Sequence, residues 1–167
     1  RHQITPENPE VKESQDTLSA QGSSLNITNA NFDRKFEEIK QLICNSNDNI
    51  DVIKKELDQL PIDYNIDGFT LLHYAAGFKH GDAVKELLNR GSDCSLQNNH
   101  KRDNPLMYVS TWDNVEMVEI MASKSPEKFI KAFNQKDVNH YAPLKYAFEL
   151  INDKDQTKQM VLTLLQC

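Results

Sequence analysis

The chain has 167 residues, 38% of them apolar, and a formal net charge of −6. That length suits one domain of ordinary size. The acidic balance argues against nucleic-acid binding, which needs a basic face, and against docking on an anionic membrane.

Cys44, Cys94 and Cys167 are far apart and have no Cys-x-x-Cys spacing. This disfavours a zinc site and reads as reduced thiols of a cytoplasmic protein. No apolar run reaches the length of a membrane span or a signal-peptide core. Residues 1–30 are polar, with scattered apolar residues that follow no period, and are expected to form a tail or linker. The start at Arg1 rather than Met suggests trimming or excision from a larger parent.

From Phe32 the pattern changes. Phe32, Phe36, Ile39 and Ile43 follow helical spacing, and Ile50, Ile53, Leu57 and Leu60 form a second stripe that ends near Pro61. The next stretch runs Asp67-Gly68-Phe69-Thr70-Leu71-Leu72-His73-Tyr74-Ala75-Ala76, then Val84, Leu87 and Leu88, then Gly91-Ser92-Asp93. This resembles the ankyrin repeat: a turn with Asp and Gly, a Thr-Pro-Leu-His-x-Ala-Ala helix, and a Val-x-x-Leu-Leu helix closed by Gly-Ala-Asp. It departs from that pattern at Leu71, Lys79, Ser92 and Ser95.

Self-comparison extends the likeness. Pro105-Leu106-Met107-Tyr108-Val109-Ser110 repeats the first-helix segment 34 residues on, and Pro143-Leu144-Lys145-Tyr146-Ala147-Phe148 repeats it after another 38. Each copy has a second apolar helix, with Val118, Ile120 and Met121 in one and Val161, Leu164 and Leu165 in the other. The extra residues, between Ser123 and Asp137 and around Asn152–Gln156, are expected to be loops. The resemblance implies an all-α ankyrin-repeat solenoid of stacked antiparallel helix pairs over residues 31–167. Its units are approximately 31–63, 64–97, 98–136 and 137–167, the first degenerate.

Local chemistry agrees with that register. Thr70 and Asn104 can cap a first helix and Ala142 cannot. Pro105 and Pro143 fit the first helical position. Gly68 and Gly91 suit turns that need positive φ. Phe148 falls in a slot where the earlier copies carry the small Ala76 and Ser110, so the last unit is expected to be looser or rearranged. The chain ends on an apolar second helix without a polar cap: either further chain follows or this face meets something, or this is a natural terminus with an adequate cap.

No phosphate-binding Gly-rich loop, no Gly-x-Ser-x-Gly elbow and no metal-ligand spacing of His is present. Neither a cofactor nor a metal site is expected, and the chain does not read as an enzyme. Cys94 falls where the repeat places a small apolar residue, so a buried spacer is expected there. The resemblance gives His73 a structural bond beside the Thr70 hydroxyl.

The resemblance also implies a partner protein held on the concave side, by the finger-like turns and the exposed ends of the first helices. Register places Phe69, His100, Lys101, Asp103 and Tyr141 on the fingers. Phe78, Trp112 and Leu150 share one later position and are expected to form an exposed apolar stripe, the alternative being that the N-terminal tail or the long loops cover them as core. His100-Lys101-Arg102 adds a basic spot suited to an acidic segment, or is a plain solvated turn. The expected role is an adaptor or targeting module. The Asn- and Lys-rich, Gly-poor style is similar to that of ankyrin proteins that intracellular bacteria deliver into host cells. The alternative is a regulatory fragment of a larger enzyme or channel. The sequence does not set an oligomeric state.

Overall fold

The computed structural model describes the backbone of residues 14–45, 49–112 and 115–167, and their side chains from Ile27 onward except Leu150. Helix α1 spans Ser14–Cys44 and α2 spans Ile50–Leu57. A two-residue strand, β1 (Asn65–Ile66), pairs antiparallel with β2 (Phe69–Thr70), Ile66 opposite Phe69. Then come α3 (Leu71–Gly77), α4 (Gly81–Asn89), α5 (Pro105–Val109), α6 (Glu116–Lys124), α7 (Pro126–Asn134), α8 (Pro143–Leu150) and α9 (Lys154–Gln166).

The first helices stack in the order α1, α3, α5, α8, and the second helices α2, α4, α6 and α9 form the layer behind them. This is the all-α solenoid that the 34- and 38-residue repetition implies.

Each helix follows from local chemistry. Thr70 is the N-cap of α3, and His73, three residues on, reaches back to the Thr70 amide. Asn104 caps α5 by accepting from the Met107 amide at 3.0 Å, with Pro105 at the first helical position. Ala142 makes no side-chain cap for α8, as its methyl group requires. In α4 the stripe Ala83, Val84, Leu87 and Leu88 is buried. Burying a leucine such as Leu72, Leu87 or Leu106 stabilises the stack by about 1.5–3 kcal/mol each.

Gly68 sits at φ +79°, and a Cβ there would lie 2.9 Å from the Cα of Asn98. Both the conformation and the closeness of the next finger require glycine. Cys94 is fully buried, which pushes its thiol up to about 12, so it is a spacer and not a nucleophile.

Three expectations are corrected. Helix α1 begins at Ser14, within the stretch read as a tail, while residues 1–13 lie outside the described residues. The segment 32–44 is anchored by the buried Phe36, Ile39 and Ile43, and once a helix is nucleated each added turn forms at little further cost. The segment 123–137 is not a loop, because it contains α7. Pro126 opens that helix, and Phe129 and Ala132 are buried by it. The stretch at 152–156 is also shorter than a loop: Asp153 accepts from the amides of Asp155 and Gln156 and starts α9.

Phe148 resolves its oversized slot by turning outward, 58% exposed, where Ala76 and Ser110 are fully buried.

Candidate functional site

The fingers are joined to one another by main-chain bonds. The Asn99 amide donates to the Asp67 oxygen at 2.9 Å, and the Val138 amide donates to the Lys101 oxygen at 2.9 Å. Three segments distant in sequence thus form one continuous row. Within the later fingers the Asn98 amide donates to the Asp103 oxygen and the Asp137 amide to the Tyr141 oxygen, each at 3.0 Å. Side chains finish the turns. Asn98 Oδ1 accepts from the amides of His100 and Lys101, and Asp137 Oδ1 accepts from those of Asn139 and Tyr141.

Beneath the fingers lies a buried polar layer. The Thr70 amide donates to His73 Nδ1 at 3.1 Å, so that nitrogen carries no proton. Nε2 therefore holds it and donates to the Asp103 main-chain oxygen at 3.1 Å. Burial holds the imidazole down at about 4, neutral at physiological pH. His73 is thus a link between repeats, which bears out its structural reading.

The tyrosines that share one place in the repeat extend this layer. Tyr108 donates to Asp103 Oδ2 at 3.1 Å. The Tyr146 hydroxyl lies between Asp103 Oδ1 at 3.1 Å and Asp137 Oδ2 at 2.8 Å. Burial and the adjoining carboxylates push both phenols well above their usual range. Burial pushes the Asp137 carboxyl up, but hydrogen bonds from Tyr141, Tyr146 and Asn139 outweigh it and hold the group below its usual range.

The residues singled out from the sequence divide accordingly. His100 and Lys101 are exposed on the finger row. Phe69 is half-buried, its ring centroid 5.6 Å from that of His100 and 5.7 Å from that of Tyr74. Tyr141 is half-buried, with Lys145 Nζ 4.1 Å above its ring. Phe78 is 54% exposed, but at the C-terminal end of α3, about 10 Å along the helix from the finger. The side chain of Leu150 lies outside the described residues.

Two of these residues are corrected. Asp103 is buried, and its carboxylate is turned inward to the two tyrosines. Trp112 is only 5% exposed, and its Nε1 donates to the Ala76 oxygen at 3.0 Å. The cause is the early end of α5. That helix stops at Val109, whereas α3 runs through Gly77, so Trp112 lies beyond the helix and folds back onto the Ala76 carbonyl near the C-terminal end of α3. There is no exposed stripe from Phe78 to Trp112.

The sequence reading also missed residues that complete the row. Gln97 Nε2 donates to the main-chain oxygens of both Arg102, at 2.6 Å, and Lys136, at 3.1 Å. This sets Lys136 beside the His100–Arg102 run. No spacing rule signals that juxtaposition, because the two segments are separated by α5, α6 and α7.

A family model for ankyrin repeats, in three copies, matches residues 72–167. The chain belongs to the ankyrin-repeat family. The match covers the three later units and leaves the α1–α2 pair outside it. No curated protein matches the chain closely enough to count as a relative. Ankyrin repeats are in general non-catalytic protein–protein interaction modules, and the polar groups under these fingers are occupied in holding one repeat to the next.

Proposed function

We propose that this ankyrin domain recognises a partner protein along the finger row and the adjoining first-helix faces, in an adaptor or targeting role. The observation that carries the reading is the joining of three fingers by the bonds Asn99 to Asp67 and Val138 to Lys101. These bonds hold Phe69, His100, Lys101 and Tyr141 on one pre-ordered surface. Preorganisation of this kind lowers the entropy lost on binding. Half-buried aromatic rings beside exposed polar groups are the chemistry of interface anchors.

Photo-crosslinking tests the reading. A benzoylphenylalanine placed at His100 or Tyr141 is expected to capture a specific partner in lysate, whereas one at Asn89 or Glu119, on the second-helix layer, is not. Capture only from Asn89 or Glu119 would move the site off the fingers.

A further inference from the structure

The fold sorts the charges of the last two fingers. In sequence, residues 98–104 and 136–142 carry Lys101, Arg102 and Lys136 against Asp103 and Asp137. In the structure the two acids are buried, their oxygens engaged by Tyr108, Tyr146 and finger amides. The three cations are exposed, and among the described residues none of them takes part in an ion pair. His100 and His140 are exposed beside them.

Gln97 binds the main-chain oxygens of Arg102 and Lys136 together, so the backbone segments that carry the three cations lie side by side. Half-buried aromatic rings belong to the same finger row: Phe69 packs against His100, and Tyr141, in the last finger, lies under Lys145. A basic, aromatic-edged strip therefore stands out on a chain of net charge −6. Like charges held unpaired and side by side favour an anionic occupant, which gains both attraction and faster encounter.

We propose that this strip docks an acidic, extended peptide segment of the partner protein, with carboxylates on Lys101, Arg102 and Lys136 and a flanking side chain against Phe69 or Tyr141. The proposal rests on the finger-row reading above and names the chemistry of what binds there. A peptide suits the strip better than nucleic acid, because Asp67, exposed on the neighbouring finger, ends the basic surface abruptly. A phosphate backbone needs a longer basic track.

The test is selection of short random peptides displayed on phage against the full 167-residue chain. The peptides recovered are then synthesised and measured by fluorescence anisotropy. The proteins compared are the parent, the charge-reversed double variant Lys101→Glu with Lys136→Glu, and the charge-keeping double variant Lys101→Arg with Lys136→Arg. All substituted positions are exposed, and equal melting temperatures verify the fold.

The expected result is enrichment of net-acidic peptides that bind the charge-reversed protein at least ~10-fold more weakly, bind the charge-keeping protein within about twofold of the parent, and weaken with added salt. Neutral or basic peptides, or acidic ones indifferent to charge reversal, would overturn the proposal. So would a single-stranded RNA oligonucleotide that binds more tightly than the peptides and loses affinity on the same reversal. Neutral peptides that lose binding on Phe69→Ala or Tyr141→Ala would leave the finger-row reading standing and remove only the acidic partner. Peptides insensitive to every finger substitution, or no binders at all, would remove both.

Discussion

The Nε2 of His73 lies 3.1 Å from the main-chain oxygen of Asp103, so the imidazole of one repeat holds the finger of the next. This link works only while the ring is neutral, with Nδ1 free to accept from the Thr70 amide. The folded value of about 4 is below the ordinary 6.5. The unfolded chain therefore takes up the proton first, and stability rises with pH across that interval. The contribution is complete above about pH 6.5 and is lost as pH falls toward 4, on the order of 3 kcal/mol in all. Urea midpoints at pH 7, 5.5 and 4.5 should show this loss for the parent. His73→Gln should be less stable at pH 7 and lack that part of the slope. Parallel pH profiles in the two proteins would contradict the assignment.

Trp112 should behave as a core residue. Truncation to Ala is expected to cost about 3–5 kcal/mol, and Trp112→Phe about 1–2 kcal/mol, because the Phe ring still fills the site but leaves the Ala76 oxygen without its indole donor. Chemical denaturation measures both. A Trp112→Ala protein as stable as the parent would mean that the ring is not packed against α3.

How far the sequence spoke depended on how local each feature is. The signature from Asp67 to Asp93, the caps Thr70 and Asn104, and the burial of Leu72 and Leu88 are near-neighbour effects, and all were legible. Trp112 misled because register alone cannot tell that α5 ends at Val109 while α3 runs through Gly77. Helix α7 did carry a signal in Pro126, Phe129, Ala132 and Phe133 at helical spacing, which the repeat register hid by making those residues an insertion. The Gln97 bridge to Lys136 and the bond from Tyr146 to Asp103 join different repeats, and no spacing encodes them.

The tyrosine layer predicts a specific loss. Tyr146→Phe removes one hydroxyl from between two buried carboxylates while keeping the ring, and should cost about 1–3 kcal/mol. Tyr74→Phe is the control, since the Tyr74 ring packs 6.0 Å from Phe36 and, among the described residues, no carboxylate bonds to its hydroxyl. Its cost should be clearly smaller in the same denaturation assay. Equal costs would show that the hydroxyl bridge contributes nothing beyond ring burial.

Lys79 stands where the ankyrin pattern carries Gly, and it adopts φ +57°. The left-handed conformation costs a non-glycine residue roughly 1–2 kcal/mol, offset in part by the greater freedom of an unfolded Gly. Lys79→Gly is therefore expected to stabilise the domain by about 0.5–1 kcal/mol. Lys79→Val, β-branched, should destabilise it. Thermal melts of the two variants rank them, and the reverse order would contradict the backbone assignment.

The central claim is that the finger row and the first-helix faces form the recognition surface. It is tested most directly by the hydrogen-exchange footprint of the domain with and without the partner captured through His100 or Tyr141. Protection is expected in residues 64–78, 98–111 and 136–149, with α4 and α6 unchanged. Protection confined to α4, α6 and α9, with the fingers exchanging as in the free domain, would contradict the account.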